Sequence, residues 1–221
     1  MRTFTELQEG VYDPNIFKAI FLAGGPGSGK SYVVRRTTGG LGMKIVNSDD
    51  IYEKMLKDAG MDTTPEDIYS DKGQEIRVQA KGVTKRMQGN FLDGRLGLII
   101  DGTGKDYDKI SKQVAGLKSI GYECYMIFVN TSLDTAQAQN KKRKRTLPET
   151  EVSTMWNEVQ QNIGKFQRLF GGSSFIVVDN NMAGEDVFEK VWKRIAMLIR
   201  KKVSNPIAKR WISQELAKKK R

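Results

Sequence analysis

One short motif limits the fold of this chain more than any other feature. An apolar run at residues 16–23 leads directly into the octet GGPGSGKS at residues 24–31. A glycine, four residues and then Gly-Lys-Ser is the spacing of a phosphate-binding loop between a buried strand and a helix. Glycines in such a loop allow turns that other residues avoid and bring backbone N–H groups close to phosphate oxygens. The sequence therefore predicts an α/β domain that binds a nucleoside triphosphate, which we take to be ATP.

The sequence of the loop also predicts which residues bind the nucleotide and the metal ion. The residues expected to bind the nucleotide phosphates are Gly25, Gly27, Ser28, Gly29, Lys30 and Ser31. Lys30 is expected to act in catalysis as well, because its ammonium group can reach the β- and γ-phosphates. The hydroxyl of Ser31 is expected to hold Mg²⁺. A helix that begins near Gly29 would direct its positive dipole end at the same anion. ATP and Mg²⁺ are thus the expected cofactors.

Apolar runs and helical patterns alternate along the rest of the chain. Further strands are predicted at 43–47, 96–100, 122–129 and 175–178, with helices between them. This alternation predicts right-handed βαβ units and a P-loop NTPase-type α/β/α sandwich of three layers, with a mainly parallel five-stranded sheet. Three glycines interrupt the helical pattern at 73–92, so we expect a kinked or mobile segment there.

The composition excludes several classes of protein. No run of 18 apolar residues exists, so we expect no membrane span and no signal peptide, and a cytoplasmic location. Histidine is absent, so a general base must be a carboxylate, a lysine or the substrate itself, and a histidine zinc site is excluded. The single Cys124 lies in an apolar run and is predicted to be a small buried hydrophobe. The oligomeric state stays open.

The C-terminal end is strongly basic. Residues 200–221 contain nine Lys or Arg and one Glu, and so contribute +8 to the net charge of +11. This asymmetry indicates an anionic partner. Nucleic acid is our first expectation, with an anionic membrane surface or a solubilising end as the alternatives. The spacing of Ile207, Trp211, Ile212 and Leu216 predicts a helix after Pro206 that docks on the domain and turns its charges outward.

Carboxylates follow two of the predicted strands. Asp49 and Asp50 come after the second strand, and Asp101 comes after the third. Ligands of open α/β sheets bind at the carboxyl ends of the strands. We therefore predict that Asp49 takes the proton from the attacking hydroxyl and that Asp101 helps to hold hydrated Mg²⁺. In the alternative interpretation Asp49 or Asp50 caps the helix that begins near Ile51, and Asp101 serves a turn with Gly102.

A basic run at residues 141–145 lies between two predicted helices. We interpret it as a lid over the phosphates. Arg143 and Arg145 are better candidates than its lysines, because a planar guanidinium group binds two phosphate oxygens at once. A solvated helix face and a nucleic-acid patch are the alternatives.

Four motifs, taken in order, resemble the P-loop kinases of the polynucleotide 5′-kinase and zeta-toxin group. They are the octet, Asn47-Ser48-Asp49-Asp50, Ile100-Asp101-Gly102-Thr103-Gly104, and Asn140-Lys141-Lys142-Arg143 with Pro148. The similarity extends over about residues 16–180. It implies that Asp49 is the general base, that Arg143 is a catalytic lid arginine, and that Asp101 acts together with Thr103. From the sequence as a whole we expect Arg145 to bind the nucleotide, a kinase domain at 1–202 with its lid at about 140–150, and a separate basic extension at 203–221.

The same resemblance implies a function. The chain is expected to move the γ-phosphate of ATP to a hydroxyl of a nucleic acid, either a 5′-OH or a hydroxymethylated base in DNA, as a phage-encoded DNA-modification enzyme acting in the host cytoplasm. Tyr52 stands where polynucleotide kinases carry an arginine, three residues after the catalytic Asp. Two alternatives therefore stay open. One is a kinase for a nucleotide, a sugar or a nucleotide sugar, and the other is a nucleic-acid-binding ATPase without kinase activity.

Overall fold

The computed structural model describes residues 11–142, 146–181 and 184–219 of the 221-residue chain. Its strands are β1 (Lys18–Ala23), β2 (Lys44–Val46), β3 (Leu98–Ile100), β4 (Glu123–Asn130) and β5 (Phe175–Asp179). Its helices are α1 (Lys30–Thr38), α2 (Ser48–Asp58), α3 (Pro65–Tyr69), α4 (Asp71–Asp93), α5 (Tyr107–Ser119), α6 (Leu133–Lys141), α7 (Glu149–Phe170), α8 (Glu185–Arg200) and α9 (Pro206–Lys219). Among these helices, none is both long and apolar enough to cross a bilayer.

The strands form one sheet in the order β2-β3-β1-β4-β5, and every neighbouring pair is parallel. In the register, Phe21 of β1 pairs with Ile100 of β3 on one side and with Met126 of β4 on the other. All six residues of β1 are buried, as expected for a central parallel strand. The chain leaves β1 at the point where the strand order reverses, which is where ligands bind in open α/β sheets.

Helices cover both faces of the sheet. On one face Phe21, Ile100 and Met126 pack in a cluster with residues of α5, α7 and α9. On the other face Ile20 and Ile127 pack with residues of α1 and α8. The predicted three-layer α/β/α architecture is confirmed. Cys124 is buried in β4, as predicted, and burial raises the pKa of its thiol to about 12.

Helices α2, α3 and α4 form a smaller unit with its own apolar cluster, made of Tyr52, Leu56, Ile68, Ile76 and Ala80. Helix α4 runs from Asp71 to Asp93 and contains the three glycines of the segment that we expect to be kinked or mobile. Packing of its apolar residues on α2 offsets the cost of the glycines.

Helix α9 docks on the sheet layer, as predicted. Trp211 meets the ring of Phe17 edge to face, with 5.4 Å between the ring centroids, and Ala208 is fully buried. A Cβ at Gly121 would come within 3.0 Å of the backbone N of Ala208, so the missing side chain is what allows this close approach. The predicted contact of Ile207 is wrong, since its side chain is 51% exposed. The residues of α9 that pack against the core are Ala208, Trp211 and Ile212.

A buried polar network holds the start of this extension. Lys18 is fully buried and forms an ion pair with Glu123. The other carboxylate oxygen of Glu123 accepts hydrogen bonds from the backbone N and from the hydroxyl of Ser204, both at 2.7 Å. Because Lys18 and Glu123 are the first residues of β1 and β4, α9 lies at the amino ends of these strands, on the edge of the sheet opposite to residues 24–31.

We expect Glu123→Gln to lower the free energy of unfolding by about 3 kcal/mol at pH 7, because it leaves Lys18 buried without its counter-charge. Burial alone would raise the pKa of Glu123, but hydrogen bonds from Lys18 and Ser204 outweigh it, and the pKa lies below its ordinary value. The contribution of this carboxylate is therefore complete above its unfolded pKa of about 4.3 and is lost as the pH falls through the folded value. Urea unfolding at a series of pH values measures it.

The difference between the variant and the parent should shrink below about pH 4. Glu185→Gln is the matched control, since Glu185 pairs with Arg36 at the surface and should contribute little. A loss of equal size at pH 7 and at pH 3 would contradict this account of the network.

Candidate active site

The loop at residues 24–31 joins β1 to α1 in the predicted way. The backbone N of Gly24 donates to the carbonyl of Thr103, at 2.9 Å. Gly27 and Gly29 have φ values of +73° and +74°, in the left-handed region that glycine adopts without strain. Gly29 is the N-cap of α1, and Lys30 is its first residue. The free N–H groups of this helix end therefore belong to the loop, which is the arrangement that binds phosphate.

Two glycines of the loop are packed too closely for a side chain, Gly27 and Gly29. A Cβ at Gly27 would lie 2.0 Å from the carbonyl oxygen of Ala136, in α6. A Cβ at Gly29 would lie 2.3 Å from the amide nitrogen of Asn180, which follows β5. The loop is thus packed against residues that follow β4 and β5, and its shape is fixed by tertiary contacts as well as by its own sequence.

Asn180 is a site residue that sequence reasoning missed. Its backbone N donates to the carbonyl of Asn130 at 2.8 Å, and its side-chain amide donates to the carbonyl of Ser28, also at 2.8 Å. It therefore fastens the loop to the ends of β4 and β5. The available signal was its position directly after the last strand, the same signal that pointed to Asp49 and Asp101.

Lys30 and Asp101, predicted separately, form an ion pair in the structure. Their side chains are 15% and 17% exposed, so the pair lies at the rim of the site. The backbone N of Asp101 donates to the carbonyl of Val46 at 3.1 Å, which ties the ends of β2 and β3 together. Lys30 is thereby held close to the end of β2, and Asp49 and Asp50 follow this strand in the chain.

Helix α2 presents Asp49 and Asp50 in its first turn. The side chain of Asn47 caps this helix and accepts a hydrogen bond from the backbone N of Asp49 at 2.9 Å. The alternative in which Asp49 or Asp50 is the cap is therefore wrong. Partial burial raises the pKa of Asp50, and the negative charge of Asp101 raises it further, while a hydrogen bond from Asn47 and the charge of Lys30 act in the opposite direction.

These electrostatic partners place Asp50 near the phosphate-binding loop, because it feels the charges of both Lys30 and Asp101. Asp49 and Asp50 are both exposed, and they lie about 100° apart around the helix. The first turn of α2 therefore offers two carboxylates in different directions, with Asp50 on the nucleotide side. The assignment of Asp49 as the base stays a prediction.

The donors near the loop suit magnesium. The described part of the chain contains no group of three or more His, Cys, Asp or Glu residues that could form a metal cage. Magnesium does not need one, because it keeps several waters and takes one or two protein oxygens together with phosphate oxygens. The exposed hydroxyl of Ser31 and the carboxylate of Asp101 are hard oxygen donors of this kind. The residues present therefore fit Mg²⁺.

The predicted lid residues Arg143 and Arg145 lie outside the described residues. The base of that segment is described. The buried side chain of Asn140 donates to the carbonyl of Leu147 at 2.8 Å and accepts from its backbone N at 3.1 Å. Lys141 and Glu149 form an ion pair at 2.7 Å. Asn140 and Leu147, at the two ends of the predicted lid, are thus held together. This explains the asparagine in the motif Asn140-Lys141-Lys142-Arg143.

The fold and the site define a P-loop domain built to bind a nucleoside triphosphate at the carboxyl edge of a parallel sheet. Residues 20–162 match a protein family described as an AAA domain. This span is more than half of the chain, and the chain belongs to that family. No curated protein matches the sequence.

Several solved structures share the fold at low sequence identity. A gluconokinase from Sinorhizobium meliloti 1021 is 15% identical with a TM-score of 0.50, covering 84% of this chain and 95% of that one. A chain of the PezAT chromosomal toxin–antitoxin system of Streptococcus pneumoniae is 17% identical with a TM-score of 0.57, and the match covers 84% of this chain and 85% of that one. A chain of the Pnkp1/Rnl/Hen1 RNA repair complex is 16% identical with a TM-score of 0.53, and the match covers 74% of this chain and 49% of that one. The chain thus shares its fold with these structures, among them a kinase.

We expect Gly27→Ala to abolish nucleotide binding, because its methyl group would collide with the carbonyl of Ala136 and displace the loop. Gly40→Ala is the matched control. Gly40 has nearly the same φ, +75°, but a Cβ there meets nothing within 4 Å. Both variants carry a left-handed strain of about 1–2 kcal/mol, and only the first disturbs the loop. Calorimetric titration with ATP measures the difference; equal affinities in the two variants would refute this account of the loop.

Proposed function

We propose that the protein transfers the γ-phosphate of ATP to a hydroxyl of a nucleic acid, with a 5′-OH or a hydroxymethylated DNA base as the acceptor. The observation that carries the proposal is the juxtaposition of Lys30 with carboxylates from two strand ends. A cation for the phosphates then lies beside candidate bases for the acceptor proton. In a chain without histidine, such carboxylates are suited to general-base chemistry.

The transfer needs little covalent chemistry from the protein. The acceptor oxygen forms a bond to the γ-phosphorus while the bond to the β-phosphate oxygen breaks, and ADP leaves. Lys30 and the N–H groups of the loop bind the phosphate oxygens and stabilise the charge that moves onto them. Asp49 takes the proton from the acceptor hydroxyl. Mg²⁺, held by Ser31 with help from Asp101, supplies further neutralisation of the phosphate charge when it is bound.

The lid would complete the charge neutralisation. Arg143 is proposed to contact the transferred phosphoryl group, and Arg145 the nucleotide phosphates. The fastening of Asn140 to Leu147 supports this role, because it gives the segment that carries both arginines a fixed base close to the loop. Ala136, whose carbonyl touches Gly27, lies only four residues before Asn140 on α6.

Asp49 is preferred to Asp50 as the base because of its direction. Asp50 lies near the charges of Lys30 and Asp101, on the nucleotide side. Asp49 precedes Tyr52 by three residues and so shares its side of α2, where an acceptor could approach between α2 and α4. Asp50 is the alternative, because a raised pKa also favours a base.

The choice of a nucleic-acid acceptor has separate support. The order of the four motifs resembles polynucleotide kinases, and the fold is shared with a chain of an RNA repair complex. The basic helix α9 adds a surface for phosphates. A small-molecule kinase is the second candidate, because the chain corresponds to 95% of a gluconokinase but only 49% of the RNA repair chain.

The position of α9 restricts which acceptors it could hold. It packs at the amino ends of β1 and β4, and the phosphate-binding loop follows the carboxyl end of β1. The six residues of β1 separate the two by about 20 Å. We therefore propose that α9 contacts only long nucleic acids that pass around the domain, and that a short acceptor reaches the active site without it.

Asp49→Asn should lower the turnover number by about 10²–10⁴-fold, because the acceptor proton loses its base. ATP affinity should change less than about twofold, since the loop and Lys30 remain. The assay is transfer of label from γ-labelled ATP to a 5′-OH oligonucleotide and to a hydroxymethylated duplex. Asp50→Asn is the matched variant and should be the milder of the two. A severe loss in Asp50→Asn with a mild one in Asp49→Asn would exchange their roles, and two mild losses would remove the pair from catalysis.

The double variant Lys209→Gln, Arg210→Gln should lower the salt dependence of binding to long DNA, by roughly 0.9 in the logarithmic slope for each DNA phosphate that is no longer neutralised. These side chains are exposed on α9, so the substitutions spare the apolar packing that a deletion of the helix would remove. Lys190→Gln, Lys193→Gln on α8 is the matched control for charge and should leave the slope unchanged. Identical slopes for the α9 variant and the parent would exclude α9 as the nucleic-acid surface.

A further inference from the structure

Tyr52 of α2 and the half-buried Arg77 of α4 form a pair in which one polar atom of each lacks a hydrogen-bond partner among the described residues. The guanidinium carbon of Arg77 lies 4.8 Å from the centroid of the Tyr52 ring. Tyr52 is only 3% exposed. Its hydroxyl oxygen and the Nε of Arg77 are both buried, and neither has a hydrogen-bond partner within the described part of the chain. Buried polar groups in proteins are nearly always hydrogen-bonded, so these two donors are available to an acceptor from outside the described chain.

The chemistry of the pair selects the ligand. Both groups donate hydrogen bonds, and Arg77 carries a charge that no ion pair balances among the residues the structure describes. Stacking on the Tyr52 ring holds the guanidinium plane in place. A fixed guanidinium group next to a hydroxyl donor matches the oxygen atoms of phosphate or carboxylate. Lys81 lies one turn further along the same side of α4 and adds to the positive potential.

The pair is also close to the proposed base. Tyr52 follows Asp49 by three residues, which places it one turn further along the same side of α2. Asp50, about 100° away around this turn, lies near the charges of Lys30 and Asp101. Asp49 thus lies in the first two turns of α2 together with Asp50, on the nucleotide side, and Tyr52, which contacts Arg77.

We infer that Arg77 and Tyr52 bind an oxyanion of the acceptor and so hold its hydroxyl beside Asp49. This inference rests on the proposed phosphoryl transfer. For a nucleic acid, the oxyanion is a backbone phosphate next to the reacting nucleotide. For a small molecule it is a phosphate or carboxylate of the acceptor itself. The pair binds and orients the acceptor, and Asp49 takes the proton.

The variants for the test separate stacking from oxyanion binding. Tyr52→Phe keeps the ring under Arg77 and removes only the unsatisfied hydroxyl. Arg77→Gln removes the charge. Arg86→Gln is the matched control, because Arg86 is an exposed arginine nine residues along the same helix, on its opposite side. Thermal unfolding of each variant checks that it folds, and Tyr52→Phe alone carries the test if Arg77→Gln does not.

Binding is measured by calorimetry with two pairs of probes, thymidine 3′-monophosphate against thymidine and gluconate against glucose. The parent should bind one anionic probe at least tenfold more tightly than its neutral partner. Arg77→Gln should lose this preference and Tyr52→Phe should weaken it several-fold, while Arg86→Gln retains it. ATP affinity should stay unchanged in all three. In turnover assays, the KM for the acceptor should rise more than kcat falls.

The outcomes separate this inference from the proposed function. A preference for gluconate alone, lost in Arg77→Gln, supports the oxyanion site and removes the nucleic-acid acceptor. A parent that phosphorylates DNA with the same acceptor KM as Arg77→Gln and Tyr52→Phe keeps the proposed function and overturns the oxyanion site. A parent that prefers neither anionic probe overturns it as well.

Discussion

The close packing of the phosphate-binding loop against α6, which follows β4, and against Asn180, which follows β5, is the interaction on which the rest of the site depends. Gly27 lies against the carbonyl of Ala136 and Gly29 against the amide of Asn180, with no space for a Cβ at either position. This packing requires β1 to lie next to β4, which the strand order provides. Once the loop is fixed, α1 begins at Lys30, and its side chain reaches Asp101 at the end of β3. The site is thus assembled from both neighbours of β1.

Features set by local spacing could be predicted from the sequence. The apolar run and the octet together predicted a strand, a turn and a helix, because Gly27 and Gly29 adopt the positive φ values that the turn needs. Buried apolar runs separated by helical patterns predicted the five parallel strands, since such runs are stable only when helices cover both faces. The start of α3 is equally local, because Thr64 accepts a hydrogen bond from the backbone N of Asp67 and Pro65 is the first helical residue.

Features set by long-range approach could not be predicted in the same way. The ion pair of Lys30 with Asp101 and the hydrogen bond from Asn180 to Ser28 join residues 71 and 152 positions apart. The apolar spacing of α9 predicted that this helix docks on the domain, but Ala208 is buried where Ile207 was expected. The cause is Gly121, which lets the backbone at Ala208 approach more closely than a larger residue would. The pairing of Tyr52 with Arg77 likewise depends on how α2 and α4 pack.

The central claim is that the γ-phosphate leaves ATP for a hydroxyl of a nucleic acid, and the most direct test is where that phosphate goes. The parent protein is incubated with γ-labelled ATP, Mg²⁺ and a mixture of 5′-OH oligonucleotide, hydroxymethylated duplex, nucleosides and sugars, and the labelled products are separated. The account predicts label on one of the two nucleic acids, in an amount that matches the ADP formed. Label found only in free phosphate, or only on a sugar or nucleoside, would contradict it.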